Sequence, residues 1–157
     1  MLDTGTQAPT FELEDQDGET VSLSEFDGQR VVVYFYPRAD TPGCTREAQA
    51  FDERLAEFAD HDVAVLGVSD DSVPDLADFE QKHALGVTLL SDPEGAVASA
   101  YDSYGERKIG DRRMEITSRN TYLIGPDGEI ERAYEGVSPE EHPEEVLADA
   151  AELAGED

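Results

Sequence analysis

One cysteine, Cys44, stands in 157 residues, and tryptophan is absent. A lone thiol cannot close a disulfide within its own chain or build a Cys-rich zinc site. The three histidines, His61, His83 and His142, stand far apart without ligand spacing. No metal and no cofactor is therefore expected, and the histidines are read as exposed, structurally ordinary side chains. Long apolar runs are missing as well: nowhere do 18 apolar residues follow one another, which gives no membrane span. The opening Met1-Leu2-Asp3-Thr4-Gly5-Thr6 has neither the basic flank nor the apolar stretch of a signal peptide, so a cytoplasmic location is expected. Positive charge is scarce. Eleven Lys and Arg face 38 Asp and Glu, a formal net charge of -27, and Lys82 and Lys108 are the only lysines. Such a surface repels nucleic-acid phosphates and anionic lipid, so neither is expected as a partner. The acids are spread along every expected element and form no tail, the pattern of a halophilic protein whose self-repulsion is screened by salt; the Debye length is about 3 Å at 1 M.

No stretch rich in Pro, Gly or Ser divides the chain, and residues 1–157 are read as a single domain. Internal repeats are lacking. Residues 11–29 read as a short hairpin region with Asp15-Gln16-Asp17-Gly18 as its turn; a calcium loop would need a further acid at its twelfth position. The run Val31-Val32-Val33-Tyr34-Phe35-Tyr36 predicts a central strand buried on both faces and ending at Pro37. A helix beginning near Cys44 follows, with Ala48, Phe51, Leu55 and Phe58 on one face. Then come a buried strand at 63–68, the cap residues Asp70-Asp71-Ser72, a helix from Val73 to Ala84, a strand over Val87 to Leu90 and a short helix from Glu94 to Tyr101. Residues 102–117 are polar and without clear period, which predicts a loop or irregular edge. Asn120 to Ile124, the turn Gly125-Pro126-Asp127-Gly128 and Glu129 to Tyr134 read as an antiparallel hairpin, and an amphipathic helix closes the chain from Pro139 onward. Strands alternating with helices predict an α/β fold with a central mixed sheet covered by helices on both faces.

The chemistry concentrates in residues 34–48. A thiol becomes a strong nucleophile as the thiolate, and a helix N-terminus favours that anion through its free N–H groups and dipole. Cys44 is placed there. Glu47 has two modest tasks, pairing with an arginine and suiting the first helical turn. Three other readings are weaker. Thiol–disulfide exchange relies on a Cys-x-x-Cys pair, and position 47 is Glu. Nucleotide binding lacks a Gly-rich loop, since Pro42-Gly43 is followed by no Lys-Ser/Thr. A non-enzymatic interaction or chaperone module would leave Cys44 passive.

Pro37, Thr41 and Cys44 match the Pro-x-x-x-Thr-x-x-Cys signature of peroxiredoxins. The fuller run Tyr-Pro-x-x-x-Thr-Pro-Gly-Cys-Thr-x-Glu-Ala closely resembles the bacterioferritin-comigratory, or peroxiredoxin Q, subfamily. The similarity extends from Ala8-Pro9-x-Phe11 through Gly67-Val68-Ser69 to Arg119-Asn120-Thr121-Tyr122-Leu123-Ile124 and the terminal helix. The resemblance implies a thioredoxin-like fold and reduction of hydrogen peroxide and organic hydroperoxides. It also implies roles: Cys44 as peroxidatic nucleophile, Thr41 orienting the peroxide, Arg119 favouring the thiolate and the departing charge, and Pro37 walling the pocket. One departure is informative. Many members of the subfamily carry a resolving cysteine five residues after the peroxidatic one, and here that position is Gln49. The resemblance then implies a one-cysteine enzyme whose sulfenic acid is recycled by an external thiol, a thioredoxin, a glutaredoxin or a low-molecular-weight thiol, in a monomer or homodimer.

Overall fold

The computed structural model describes residues 2–109, 111–135, 138 and 141–155, with backbone alone at 106–109 and 112–116. In chain order the elements are β1 (Glu12–Asp15), β2 (Thr20–Ser22), a 3-10 turn (Leu23–Phe26), β3 (Arg30–Phe35), α1 (Pro42–Asp52), α2 (Leu55–Asp60) and β4 (Val63–Ser69). They continue with α3 (Val73–His83), β5 (Thr88–Ser91), α4 (Ala96–Ala100), β6 (Tyr104–Ile109), β7 (Arg112–Thr117), β8 (Thr121–Ile124), β9 (Ile130–Tyr134) and α5 (His142–Gly155). Seven strands form one sheet in the order β2-β1-β5-β4-β3-β8-β9. The central pairs β3/β4 and β4/β5 are parallel, and β8, β9, β1 and β2 join antiparallel, which makes the mixed sheet that the alternation of elements predicts.

Alternation along β3 sorts the core. Val32 and Tyr34, followed by Tyr36, face α1, α3 and α5 through Ala48, Phe51, Leu76, Phe79, Val146 and Ala150. Val31, Val33 and Phe35 face the other way, onto Ala98 of α4, Tyr101 and Tyr122. Side chains two apart share a face of a strand, so a continuous apolar run is what a strand covered on both faces requires. Gly67 of β4 lies under the Tyr34 ring, and a Cβ there would come within 2.6 Å of it. The absent side chain lets Tyr34 lie flat enough to stack on Phe51 of α1 at 4.4 Å between ring centres, which seats α1 on the sheet.

Asp15 makes the turn expected of it, its Oδ1 accepting from the N–H groups of Asp17 and Glu19. Three expectations need correction. Residues 102–117 are no irregular loop: β6 and β7 pair from Tyr104↔Thr117 to Ile109↔Arg112 as a separate two-stranded ribbon. Among the described residues the ribbon pairs only within itself, and its sequence shows no clear period. The helix after Cys44 is broken at Glu53 and Arg54, where Arg54 N–H returns to Phe51 O in a tighter turn. Ala48, Phe51, Leu55 and Phe58 still share one core cluster. His142 is buried at 3% exposure, and burial pushes its imidazole pKa down to about 4. His83 is half-buried and paired with Asp40, so His61 alone is exposed as expected. Pro139, where the last helix was expected to start, lies outside the described residues, and α5 begins at His142.

Candidate active site

The six residues from Tyr36 to Thr41 carry the chain from the end of β3 to the start of α1. Pro37 lies two residues past the end of β3 and is half-buried. Thr41 is the N-cap of α1 and Pro42 its first residue, a placement that suits proline because that N–H has no partner within the helix. Thr41 gives the helix no side-chain cap; its hydroxyl donates to Arg38 O at 2.8 Å instead. Cys44 lies in the first turn, 1% exposed and packed with Tyr36 and Ala48. The expected position of the thiol at a helix N-terminus is therefore what the fold delivers.

Arg119 arrives from the far side of the sequence. It lies in the link between β7 and β8, two residues before β8 and not on a strand. Its neighbour Asn120 accepts a hydrogen bond from Phe35 N–H at 2.8 Å, which zips this link to the end of β3. The guanidinium thereby reaches Cys44: Nη2 lies 3.3 Å from Sγ, and Nη1 donates to Glu47 Oε1 at 2.9 Å. Arg119 is 19% exposed and Glu47 0%. Glu47 is thus paired with an arginine as expected, but it sits one turn deeper than the first turn of α1, fully buried. Burial pushes its carboxyl pKa up to about 7, against the opposing pull of Arg119. Its second oxygen, Oε2, meets no partner among the described residues.

Cys44, Arg119 and Glu47 are in direct contact, while Thr41 and Pro37 belong to the loop that leads into them. One participant escaped sequence reasoning. Ser72 caps α3 by accepting from Asp75 N–H, whereas Asp71, read as a cap residue, turns its carboxylate to the N–H of Ala39 in the Cys44 loop at 2.7 Å. A run of Asp-Asp-Ser before a helix carries no sign of which acid caps and which reaches elsewhere. Gln49 is exposed on α1. A groove of about 560 Å³ between α2 and α5, lined by Glu53, Glu57, His61 and Glu144, contains none of these residues. Among the described residues no group of acids, histidines or cysteines is arranged to hold a metal ion.

The arrangement supplies a nucleophilic sulfur, a fixed positive charge beside it and a buried carboxyl that orients that charge. Comparisons agree with what it can do. A family model described as the AhpC/TSA family matches residues 4–133. Peroxiredoxin Bcp of Escherichia coli (strain K12) is 40% identical over 146 residues, 93% of this chain and 94% of that protein. The bacterioferritin comigratory protein of Xanthomonas campestris, whose alkyl peroxide reduction activity has been studied in trapped intermediate and ligand complexes, superposes with a TM-score of 0.90 at 31% identity, covering 97% of this chain and 99% of that one. Peroxidoxin BcpB from Mycobacterium tuberculosis gives 0.87 at 32% identity, over 98% and 99%.

Proposed function

The chain belongs to the AhpC/TSA family, in its Bcp and peroxiredoxin Q branch with the thioredoxin-like fold, and from that premise we propose that it reduces hydrogen peroxide and organic hydroperoxides through Cys44, at the expense of an external thiol. The observation that carries this reading is the Arg119 guanidinium 3.3 Å from Cys44 Sγ. In the first half-reaction the thiolate attacks the terminal peroxide oxygen. The S–O bond forms as the O–O bond breaks, the alcohol or water leaves with a proton, and Cys44 becomes a sulfenic acid. Arg119 stabilises negative charge on the sulfur before attack and on the departing oxygen during it. Thr41 orients the peroxide, and Pro37, two residues past the end of β3, walls the pocket. In the second half-reaction one external thiol condenses with the sulfenic acid, releasing water and leaving a mixed disulfide. A second thiol then frees Cys44 and departs as the oxidised disulfide.

Cys44 is the chain's only cysteine, so no partner within the chain traps the sulfenic acid. The reductant is a thioredoxin, a glutaredoxin or a low-molecular-weight thiol, and the protein acts as a monomer or homodimer. The test is peroxide consumption in molar KCl with dithiothreitol, followed by intact mass after excess peroxide without thiol. Turnover is expected with thiol; without it, Cys44 should gain two oxygens as sulfinic acid. A mass with no added oxygen would count against Cys44 as the oxidised group.

The acidic surface belongs to the same proposal. Glu53 at the end of α1, Glu57 and Asp60 of α2, and Glu141, Glu144 and Glu145 around the start of α5 are all exposed, and among the described residues no helix is long and apolar enough to cross a membrane. We place the protein in a salt-rich cytoplasm. Screening that relieves about 2–3 kcal/mol of self-repulsion raises Tm by about 5–10 °C in a chain of this size. Differential scanning calorimetry in dilute buffer and in molar KCl reads this directly, and equal Tm values would remove the salt adaptation.

A further inference from the structure

Asp71 lies in the turn between β4 and α3, 32 residues from the loop residue it holds. One of its oxygens, Oδ2, accepts two hydrogen bonds of 2.7 Å, from the hydroxyl of buried Ser69 and from the N–H of Ala39. That N–H belongs to the Arg38–Ala39 peptide. The carbonyl of the same peptide, Arg38 O, accepts the Thr41 hydroxyl at 2.8 Å. All described peptide bonds are trans, and in a trans peptide the N–H and C=O point in opposite directions within one plane. The contacts therefore run as a single chain from carboxylate through peptide to hydroxyl.

We infer that Asp71 is a positioning residue, acting through the Arg38–Ala39 peptide to hold the Thr41 hydroxyl as a hydrogen-bond acceptor for the peroxide; this rests on the reading above that Thr41 binds the substrate. A threonine hydroxyl has one proton and two lone pairs. With the proton committed to Arg38 O, a lone pair is left for the incoming O–H of a peroxide, so Thr41 fixes the substrate without competing for the oxygen that Cys44 attacks. If the peptide turned over, its N–H would replace the carbonyl and the Thr41 proton would be free to enter the site. The carboxylate opposes this with a charge-assisted bond. Bonds in series also polarise one another, which makes the Thr41 oxygen a better acceptor.

The rest of the loop is held more weakly. Asp40, at φ 60°, pairs with Lys82 at 2.8 Å and His83 at 2.9 Å near the end of α3. Asp40 and Lys82 are exposed, where ion pairs are screened and contribute little. They fix the outer edge of the loop but do not touch the Arg38–Ala39 peptide. Asp71, reaching in from outside the loop, does touch it, and Ser69, at 1% exposure, keeps its carboxylate aimed.

The experiment is a double-mutant cycle in kcat/KM for hydrogen peroxide, with Ala39 amide hydrogen exchange measured on the same proteins. Asp71→Ala should lower kcat/KM by about 10–100-fold, the cost of a misplaced binding group. Asp71→Asn, whose amide oxygen still accepts from Ala39, should recover most of it. In a Thr41→Val background, Asp71→Ala should cost less than about twofold, because its target is gone. Ala39 N–H should lose protection in Asp71→Ala and keep it in Asp71→Asn. If Asp71→Ala does not fold, Asp71→Glu, which displaces the carboxylate by one methylene, takes its place with the same expected pattern. Wild-type kcat/KM in Asp71→Ala, an equal loss in the Thr41→Val background, or unchanged Ala39 protection would each overturn the inference. A wild-type protein that does not turn over peroxide defeats the peroxidase reading itself, and this inference with it.

Discussion

Cys44→Ser should remove peroxide turnover while leaving the fold standing. The step to be lost is oxidation of sulfur, and a serine oxygen at the same place cannot accept an oxygen atom from a peroxide. For comparison, removing the nucleophile of a catalytic unit costs many orders of magnitude, so the residual rate should fall by about 10³-fold or more, to the background of dithiothreitol with peroxide. The fold should tolerate the change. Cys44 is buried within a core cluster, where a hydroxyl left without a partner costs about 1–3 kcal/mol, but Arg119 Nη2, now 3.3 Å from the sulfur, supplies a donor to the new oxygen. Peroxide consumption in molar KCl with dithiothreitol, beside a melting curve of the same sample, separates chemistry from unfolding. Two folded proteins that consume peroxide equally would make Cys44 a passive thiol and revive the interaction-module reading.

Arg119→Met should damage both activity and stability, with different dependences on pH. The charge beside the sulfur is lost, and by analogy with the removal of one donor from a transition-state site, kcat/KM should fall by about 10²–10³-fold, or roughly 3–4 kcal/mol. The stability effect comes from Glu47. Its native carboxyl is raised from 4.5 to about 7, chiefly by burial, with Arg119 pulling the other way. Since the folded pKa is above the unfolded one, the native protein holds a proton that the unfolded chain gives up. The stability this supplies is complete below about 4.5 and is lost as pH rises through about 7. Without Arg119 the native pKa climbs further, and a carboxylate forced to ionise there is buried and unpaired, a loss of about 3–5 kcal/mol. The Tm deficit of Arg119→Met against wild type should therefore be larger at pH 8 than at pH 6. Adding Glu47→Gln should flatten that difference. Equal deficits at both pH values would show that Arg119 does not hold the Glu47 charge.

The strands and the nucleophile were legible because their signals are local. Val31 to Tyr36 reads as a strand covered on both faces without knowledge of its neighbours, and the spacing of Ala48, Phe51, Leu55 and Phe58 marks a helix beginning near Cys44. Arg119 is different. Its residue type and the family resemblance named it, but a separation of 75 residues from Cys44 gives no distance. The ribbon of β6 and β7 was hidden because its sequence shows no clear period, and backbone pairing by itself leaves no mark on side-chain order. His142 looked like a polar residue on an acidic helix, and only the rings of Phe51 and Tyr134 packed against it show why it is buried.

By itself, then, the sequence determined the alternation that makes a mixed sheet with helices on both faces, the single thiol at a helix start, and a formal net charge of -27. Each follows from neighbours a few residues apart or from composition. Tertiary structure decided which distant groups meet that thiol. Arg119 reaches Cys44 because the β7–β8 link is hydrogen-bonded to the end of β3, and Asp71 reaches Ala39 because β4 lies parallel beside β3 and ends at the same edge. Strand order and register, which no local stretch of sequence encodes, set those distances and with them the chemistry.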